Sequence, residues 1–339
     1  MVLLNKLPEI VLERIVENCK FREIIVLRKV CRDLRSFIDS TIPDVRIPRI
    51  LIEVQDDNIV IRYGNEEDIE YLEYEEGVGV GFADKEEATL VEGEELLDVF
   101  FNDFKFAMKY QKSKIDILSL RWEVEDEDYD YKAILIGLEN VLRENPLSTR
   151  VFHIEAHDQS DILSILPYLD SEKLKEVWIF NPNKEEPGGP IDLDQVVELE
   201  QFKKLTSFAI PSHSISENYL PKFAHIPTSI LHLNTISLDS LINLRVILIR
   251  SPKFQILDFH YKDFNGNLEE LPEHFGPPLI ESGRRKWFMK STSSDTILGL
   301  LHDQSIHSRF IFFKVVPKDV PRNAGIHIFH DSLFPSTTH

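Results

Sequence analysis

The frame apolar-x-x-apolar-x-apolar recurs along the second part of the chain and restricts the fold more than any other feature. It stands at Ile115/Leu118/Leu120, Val151/Ile154/Ala156, Leu174/Val177/Ile179, Leu205/Phe208/Ile210 and Phe254/Leu257/Phe259. A weaker copy is Ile230/Leu233. One such triplet carries no information, but five with helix-spaced apolar stretches between them do. Tyr131 to Arg143, Asp161 to Leu169, Asp192 to Lys203 and Leu238 to Ile249 read as those helices. Helix then strand, repeated, predicts parallel strands joined by helical crossovers. No glycine-rich turn follows a strand, so the dinucleotide and phosphate-loop folds lose support. The expected architecture over 113–263 is an irregular, leucine-rich-repeat-like α/β solenoid. An ordinary α/β sheet built from the same strands is the alternative.

Within this frame the x positions point away from the core. They put Ser119, Arg121, His153, Glu155, His157, Glu176, Trp178, Phe180, His232, Asn234, Asp258 and His260 on one surface. Large aromatics on an open sheet face anchor partners. Arg121, His153, Glu155, His157, Glu176, Trp178, Phe180, His232, Asp258 and His260 are therefore the expected target-binding residues. The alternative for Trp178 and Phe180 is a core position beneath the loop "NPNKEEPGGP". His153, Glu155 and His157 have side chains that zinc accepts. On one strand they point in parallel over about 13 Å, which suits contacts to a protein better than one ion.

Enzyme signatures are missing: there is no Gly-x-Ser-x-Gly, His-Glu-x-x-His or Cys-x-x-Cys. The two cysteines, Cys19 and Cys31, sit in apolar helical stretches and read as reduced core thiols of an intracellular protein. No catalytic residue, metal or cofactor is expected. No apolar run reaches the ~18 residues of a membrane span, and the first residues lack a signal-peptide pattern. The net charge of −20 disfavours nucleic acid and anionic membrane as partners. "RRKWFMK" at Arg284 to Lys290 has the basic and aromatic residues of an RNA contact. One short cluster in an acidic chain reads better as a strand edge or a set of ion pairs.

The charge is uneven. Residues 1–47 hold 9 basic and 7 acidic side chains, whereas 53–130 hold 25 acidic and 7 basic ones. That shift, with Pro43 and Pro48, predicts four regions: 1–47, 48–112, 113–263 and a C-terminal extension over 264–339 with a loop and a capping strand. In the second region "RILIEVQDDNIVIRY" alternates around Asp56-Asp57-Asn58 and predicts a β-hairpin. Leu96 to Lys112 reads as an amphipathic helix. The acidic runs there read as solvated faces that attract basic ligands weakly.

The first region predicts three helices, Glu9 to Asn18, Phe21 to Cys31 and Arg32 to Asp39. Three short helices barely make a core, and these are apolar on nearly every face. They either dock on a partner or open a larger continuous domain. "LPEIVLERIVENC" followed by "REIIVLRKVCRDLRSFI" resembles an F-box. Leu7-Pro8, Leu12, Ile15, Val30-Cys31-Arg32 and Arg35 carry the likeness, while Leu34 replaces the usual Trp. The resemblance implies a helical module that binds a Skp-type adaptor and through it a cullin–RING ubiquitin ligase. Leu7, Pro8, Val11, Leu12, Ile15, Ile24 and Leu27 would face that adaptor.

"SDILSILPYLDSEKLKEVWIF", "IDLDQVVELEQFKKLTSFAI" and "LRVILIRSPKFQILDFHY" resemble the FTH domain of nematode F-box proteins. That resemblance implies a protein-interaction domain that recruits a protein target. Together the two imply a non-catalytic substrate-recognition subunit of an SCF-type ligase, located in cytoplasm or nucleus. A non-degradative scaffold using the same adaptor contact is the alternative.

Overall fold

The structure is a computed structural model that describes residues 7–41, 43–64, 68–82, 88–124, 130–183, 188–292, 295–304 and 308–329. The chain forms two compact units, residues 1–155 with 160–174 and residues 156–159 with 175–339.

The first unit begins with α1 (Glu9–Glu17), α2 (Phe21–Val30) and α3 (Arg32–Thr41). Pro8 precedes α1, where a missing N–H costs nothing. The Glu23 carboxylate accepts the Lys20 N–H at 2.7 Å and closes the start of α2. Strands β1 (Arg49–Gln55), β2 (Asn58–Tyr63), β3 (Ile69–Tyr74), β4 (Gly77–Phe82) and β5 (Ala88–Glu92) follow. Next come α4 (Leu96–Tyr110), β6 (Ile115–Glu123), α5 (Tyr131–Glu144) and β7 (Thr149–Glu155). Strands β1 to β5 form an antiparallel meander. β6 joins β1 on its other side in parallel, and β7 joins β6 in parallel. Phe100, Phe104 and Met108 of α4 and Leu135, Leu138 and Leu142 of α5 are buried. The two helices approach so closely that a Cβ on Gly137 would stand 2.1 Å from the Phe101 ring. The acidic stretch is thus no separate region: β1 pairs with β6, and the boundaries expected at 47/48 and 112/113 run through one unit.

A short helix, α6 (Gln159–Leu163), follows β7. The second unit then holds β8 (Glu176–Phe180), β9 (Gly188–Pro190), α7 (Glu200–Lys203), β10 (Ser207–Ala209) and β11 (His213–Ser214). After these come β12 (Thr228–Ser237), α8 (Leu238–Arg250), β13 (Ile256–Asn265) and α9 (Leu271–Phe275). The last strands are β14 (Leu279–Glu281), β15 (Arg284–Ser291), β16 (Ile297–Asp303), β17 (Arg309–Val315) and β18 (Ile326–Phe329). Strands β8, β10, β12 and β13 pair in parallel, as helix-then-strand chain order requires. β17, β16, β15 and β14 extend the sheet antiparallel, and β18 lies parallel to β15. The 264–339 segment is therefore a set of sheet strands rather than a loop with one capping strand. Likewise, the repeat expected over 113–263 is divided between the two units.

Register corrects the frame in two places. Phe208 stands beside Val177 on one side and Ser229 on the other, and Ser229 stands beside Leu257. The copy between those of Phe208 and Leu257 is thus Ile226/Ser229/Leu231, with a serine at its centre, and Ile230 faces the other way. Ser229 is 1% exposed, and its hydroxyl has no hydrogen-bond partner among the described residues. On β7 the residues beside Leu118 and Leu120 are Phe152 and Ile154, so that copy begins at Thr149 rather than Val151.

Candidate interaction surfaces

The helices α1 to α3 have an inner and an outer face. Leu12, Val16, Phe21, Ile24, Leu34 and Ile38 are buried within the unit. Phe21 meets Tyr63 of β2 edge-on at 4.8 Å between ring centroids. Arg28 lays its guanidinium 4.5 Å over the Phe106 ring and donates two hydrogen bonds to Asp39, of 2.6 and 3.1 Å. The Tyr110 hydroxyl donates to the same carboxylate at 2.7 Å. The hydrogen bonds from Arg28, helped by Tyr110 and opposed by partial burial, hold the Asp39 carboxyl below its usual range. At the end of the module Asp44 accepts the backbone N–H groups of Lys112 and Ser113.

Solvent sees a different set. Ile10 is 64% exposed, Val11 38% and Val30 62%, and Pro8 is exposed beside them. Leu7, Ile15 and Leu27 are half-buried. Leu12, at 6%, and Ile24, at 0%, are sealed by the chain's own residues. The expectation that these two face a partner is therefore corrected: they support the helices, while Ile10 and Val30 supply the surface. Each position on a helix turns 100° from the last, so Val11 and Leu12 fall on different faces.

In the second unit the sheet has a covered face and an open one. Val177, Phe208, Leu231, Leu257, Phe259, Phe310 and Phe312 are buried on the covered face. Between them stand residues of the open face, most of them half-buried. One transverse row runs Trp178, Ala209, Ile230, Asp258, Ile311, Leu301. The next row toward the C-terminal ends of the parallel strands runs His232, His260, Arg309, Asp303. Trp178 and Phe180 stack with ring centroids 6.0 Å apart. Arg309 lies 3.7 Å from Asp258 and 3.4 Å from Asp303, and Arg284 lies 2.9 Å from Asp303. Burial pushes the Asp258 carboxyl up, against the pull of Arg309 and His260. Glu176, Trp178, Phe180, His232, Asp258 and His260 thus share one face as the alternation predicts. Arg309, Ile311 and Phe313 join them unforeseen, although the alternation of "RFIFFKV" carries the signal. Lys184 to Pro187 of the loop expected over Trp178 lie outside the described residues.

Arg121, His153 and Glu155 belong to the first unit. Arg121 is exposed on β6 and His153 is half-buried on β7. Glu155 is not surface, which corrects its place in the target-binding set. It is 7% exposed, and its carboxylate accepts the Trp122 backbone N–H at 2.7 Å. Its carbonyl accepts the Trp122 indole N–H, also at 2.7 Å. Such a doubly bonded carboxylate-and-carbonyl pair extends the β6–β7 ladder and satisfies buried groups. His157 is exposed in the second unit. No group of three His, Cys, Asp or Glu that could hold a metal ion occurs among the described residues. The cations of "RRKWFMK" are engaged by Asp303, Glu269, Glu281 and Asp295, and Trp287 is fully buried. Among the described residues no helix is long and apolar enough to cross a membrane.

Two family models match. The F-box domain covers residues 4–46, which hold the exposed Ile10, Val11 and Val30. The FTH domain covers residues 132–278, from α5 to the residues after α9, and takes in parts of both units. No curated protein and no solved structure matches the chain. With these two domains in this order, the chain is an F-box protein carrying an FTH domain.

Proposed function

We propose that this protein is a substrate receptor of an SCF-type cullin–RING ubiquitin ligase. The F-box binds a Skp-type adaptor, and the FTH-bearing part holds a protein target. The observation that carries this reading is the two-faced F-box. Its inner face is complete without a partner, yet Ile10, Val11 and Val30 remain exposed. Apolar side chains in that state lose free energy unless something covers them, at ~1.5–3 kcal/mol for each one fully buried. Pro8, which is exposed, and Leu7, Ile15 and Leu27, which are half-buried, take part in the contact.

The target is held on the open face of the second sheet. Trp178, Phe180 and Ile230 supply an apolar anchor, and His232, His260 and Arg309 supply polar contacts at its border. Glu176 and Asp258 complete that set, with His157 as a further contact; Arg121 and His153, on the first unit, are proposed separately as residues that contact a protein. Nothing in this reading requires bond chemistry from the chain. It holds the target near a ubiquitin-charged enzyme and so raises the effective concentration of the target's lysines. The test is co-purification of the full chain from cells. Ile10→Asp with Val30→Asp abolishes adaptor capture and leaves target capture. Trp178→Ala with Phe180→Ala has the opposite effect. Adaptor capture by the first variant at the wild-type level would overturn the F-box part, and unchanged target capture by the second would overturn the FTH part.

A further inference from the structure

Strand β5 ends the sheet of the first unit. It pairs with β4 and, among the described residues, with no strand on its other side. The Gly93 N–H donates to the Glu76 carbonyl at the turn end of this pair. Bonded pairs alternate along an antiparallel ladder, so Val91 and Thr89 turn their backbone groups toward β4. Leu90 and Ala88 then turn theirs outward. Ala88–Glu92 holds no Pro, no Lys and no bulge, and its one charge, Glu92, stands at the end of the strand. Leu90 is 40% exposed and pairs with Gly79, onto which the 52%-exposed Tyr74 ring folds. The turns at this end expose Glu75, Glu76, Glu92, Glu94 and Glu95, and none of these carboxylates forms an ion pair with a described residue.

We propose that the β5 edge accepts an extended, basic segment of another protein as an added strand. The outward backbone groups of Ala88 and Leu90 bond its main chain. Its lysines or arginines lie toward the glutamates, and an apolar side chain lies on the Tyr74–Leu90 ledge. This surface uses none of the residues assigned to the adaptor and target contacts above.

The test is fluorescence anisotropy with the full chain and a labelled peptide of alternating lysine and valine. The wild-type chain binds the peptide, and the affinity falls as salt shortens the electrostatic range. Leu90→Pro removes one outward donor while leaving both β4-facing neighbours, and weakens binding about tenfold, as loss of one strand contact does. Glu92→Gln with Glu94→Gln and Glu95→Gln weakens it by about the same factor and flattens the salt dependence. The same peptide with methylated backbone nitrogens does not bind the wild-type chain. Equal binding of the methylated and unmethylated peptides, or no binding by the wild-type chain, overturns the proposal.

Discussion

The F-box helices and the sheet of the second unit both keep apolar side chains on two opposite faces, but they divide them differently. In the sheet a face is a collective property. Val177, Phe208, Ser229 and Leu257 lie in one register row and are all buried, and even the serine is carried inward by its neighbours. In α1 a single step along the chain separates the 38%-exposed Val11 from the 6%-exposed Leu12. A sheet face therefore changes only when a whole strand slips, whereas a helix face changes with one residue.

The sharpest way to break this comparison is to cut one side chain from each face. Phe259→Ala, on the covered face of β13, is expected to cost about 4 kcal/mol in urea unfolding, because it leaves a cavity as well as losing burial. Trp178→Ala, on the open face, is expected to cost less than about half of that, and a larger loss would make it core. In the F-box, Ile24→Ala is expected to cost about 3 kcal/mol. Val11→Ala is expected to change stability by less than about 0.5 kcal/mol, as an exposed site does. Equal costs for Ile24 and Val11 would erase the two-faced description.

Protonation sharpens the same contrast. His302, buried beside Tyr261 with its Nε2 2.7 Å from the phenol oxygen, is depressed to about 4 by burial and by Arg285. The unfolded chain takes up this proton first, near the ordinary value of about 6.5. Stability of the second unit therefore falls as pH drops from about 6.5 to about 4, by roughly 3 kcal/mol in all. Unfolding midpoints measured across that window are expected to show the slope in the wild type and to lose it in His302→Gln. Asp39 gives the smaller of the two protonation effects, about 1 kcal/mol or less, since its pair with Arg28 is a third exposed and screened. Its folded carboxyl is depressed, so its contribution is present above about pH 4 and disappears below it. Asp39→Asn should thus differ from the wild type at neutral pH and match it in acid, read as thermal midpoints.

Much of this was legible beforehand, for physical reasons that also explain the gaps. Pro8 and Pro43 bracket helices whose spacing is regular, and α1, α2 and α3 end within two residues of the expected positions. The alternation in β8, β12 and β13 placed Trp178, His232 and His260 on one face. Helix rotation was harder to read, because apolar residues nearly all round α1 and α2 left the inner stripe undefined, and Leu12 and Ile24 fell on it. Glu155 was misplaced because the bonds it makes to Trp122, 33 positions earlier, leave no trace in local spacing. The weak copy at Ile230 arose because a buried serine hides a frame that apolar residues alone define. Strands β15 and β16 are buried on both faces over much of their length, so their alternation is weak, whereas β17 alternates.

The FTH match crosses from one compact unit into the other. It begins at α5, leaving out β6, on which β7 depends for its parallel pairing, and it stops before β14 to β18. The signature therefore traces a stretch of ancestry and not a portable part. Recombination that moved residues 132–278 alone would separate strands from their partners at both ends. New proteins with this domain order are expected to arise by duplicating the whole chain and drifting at surface positions, rather than by shuffling the domain as a cassette.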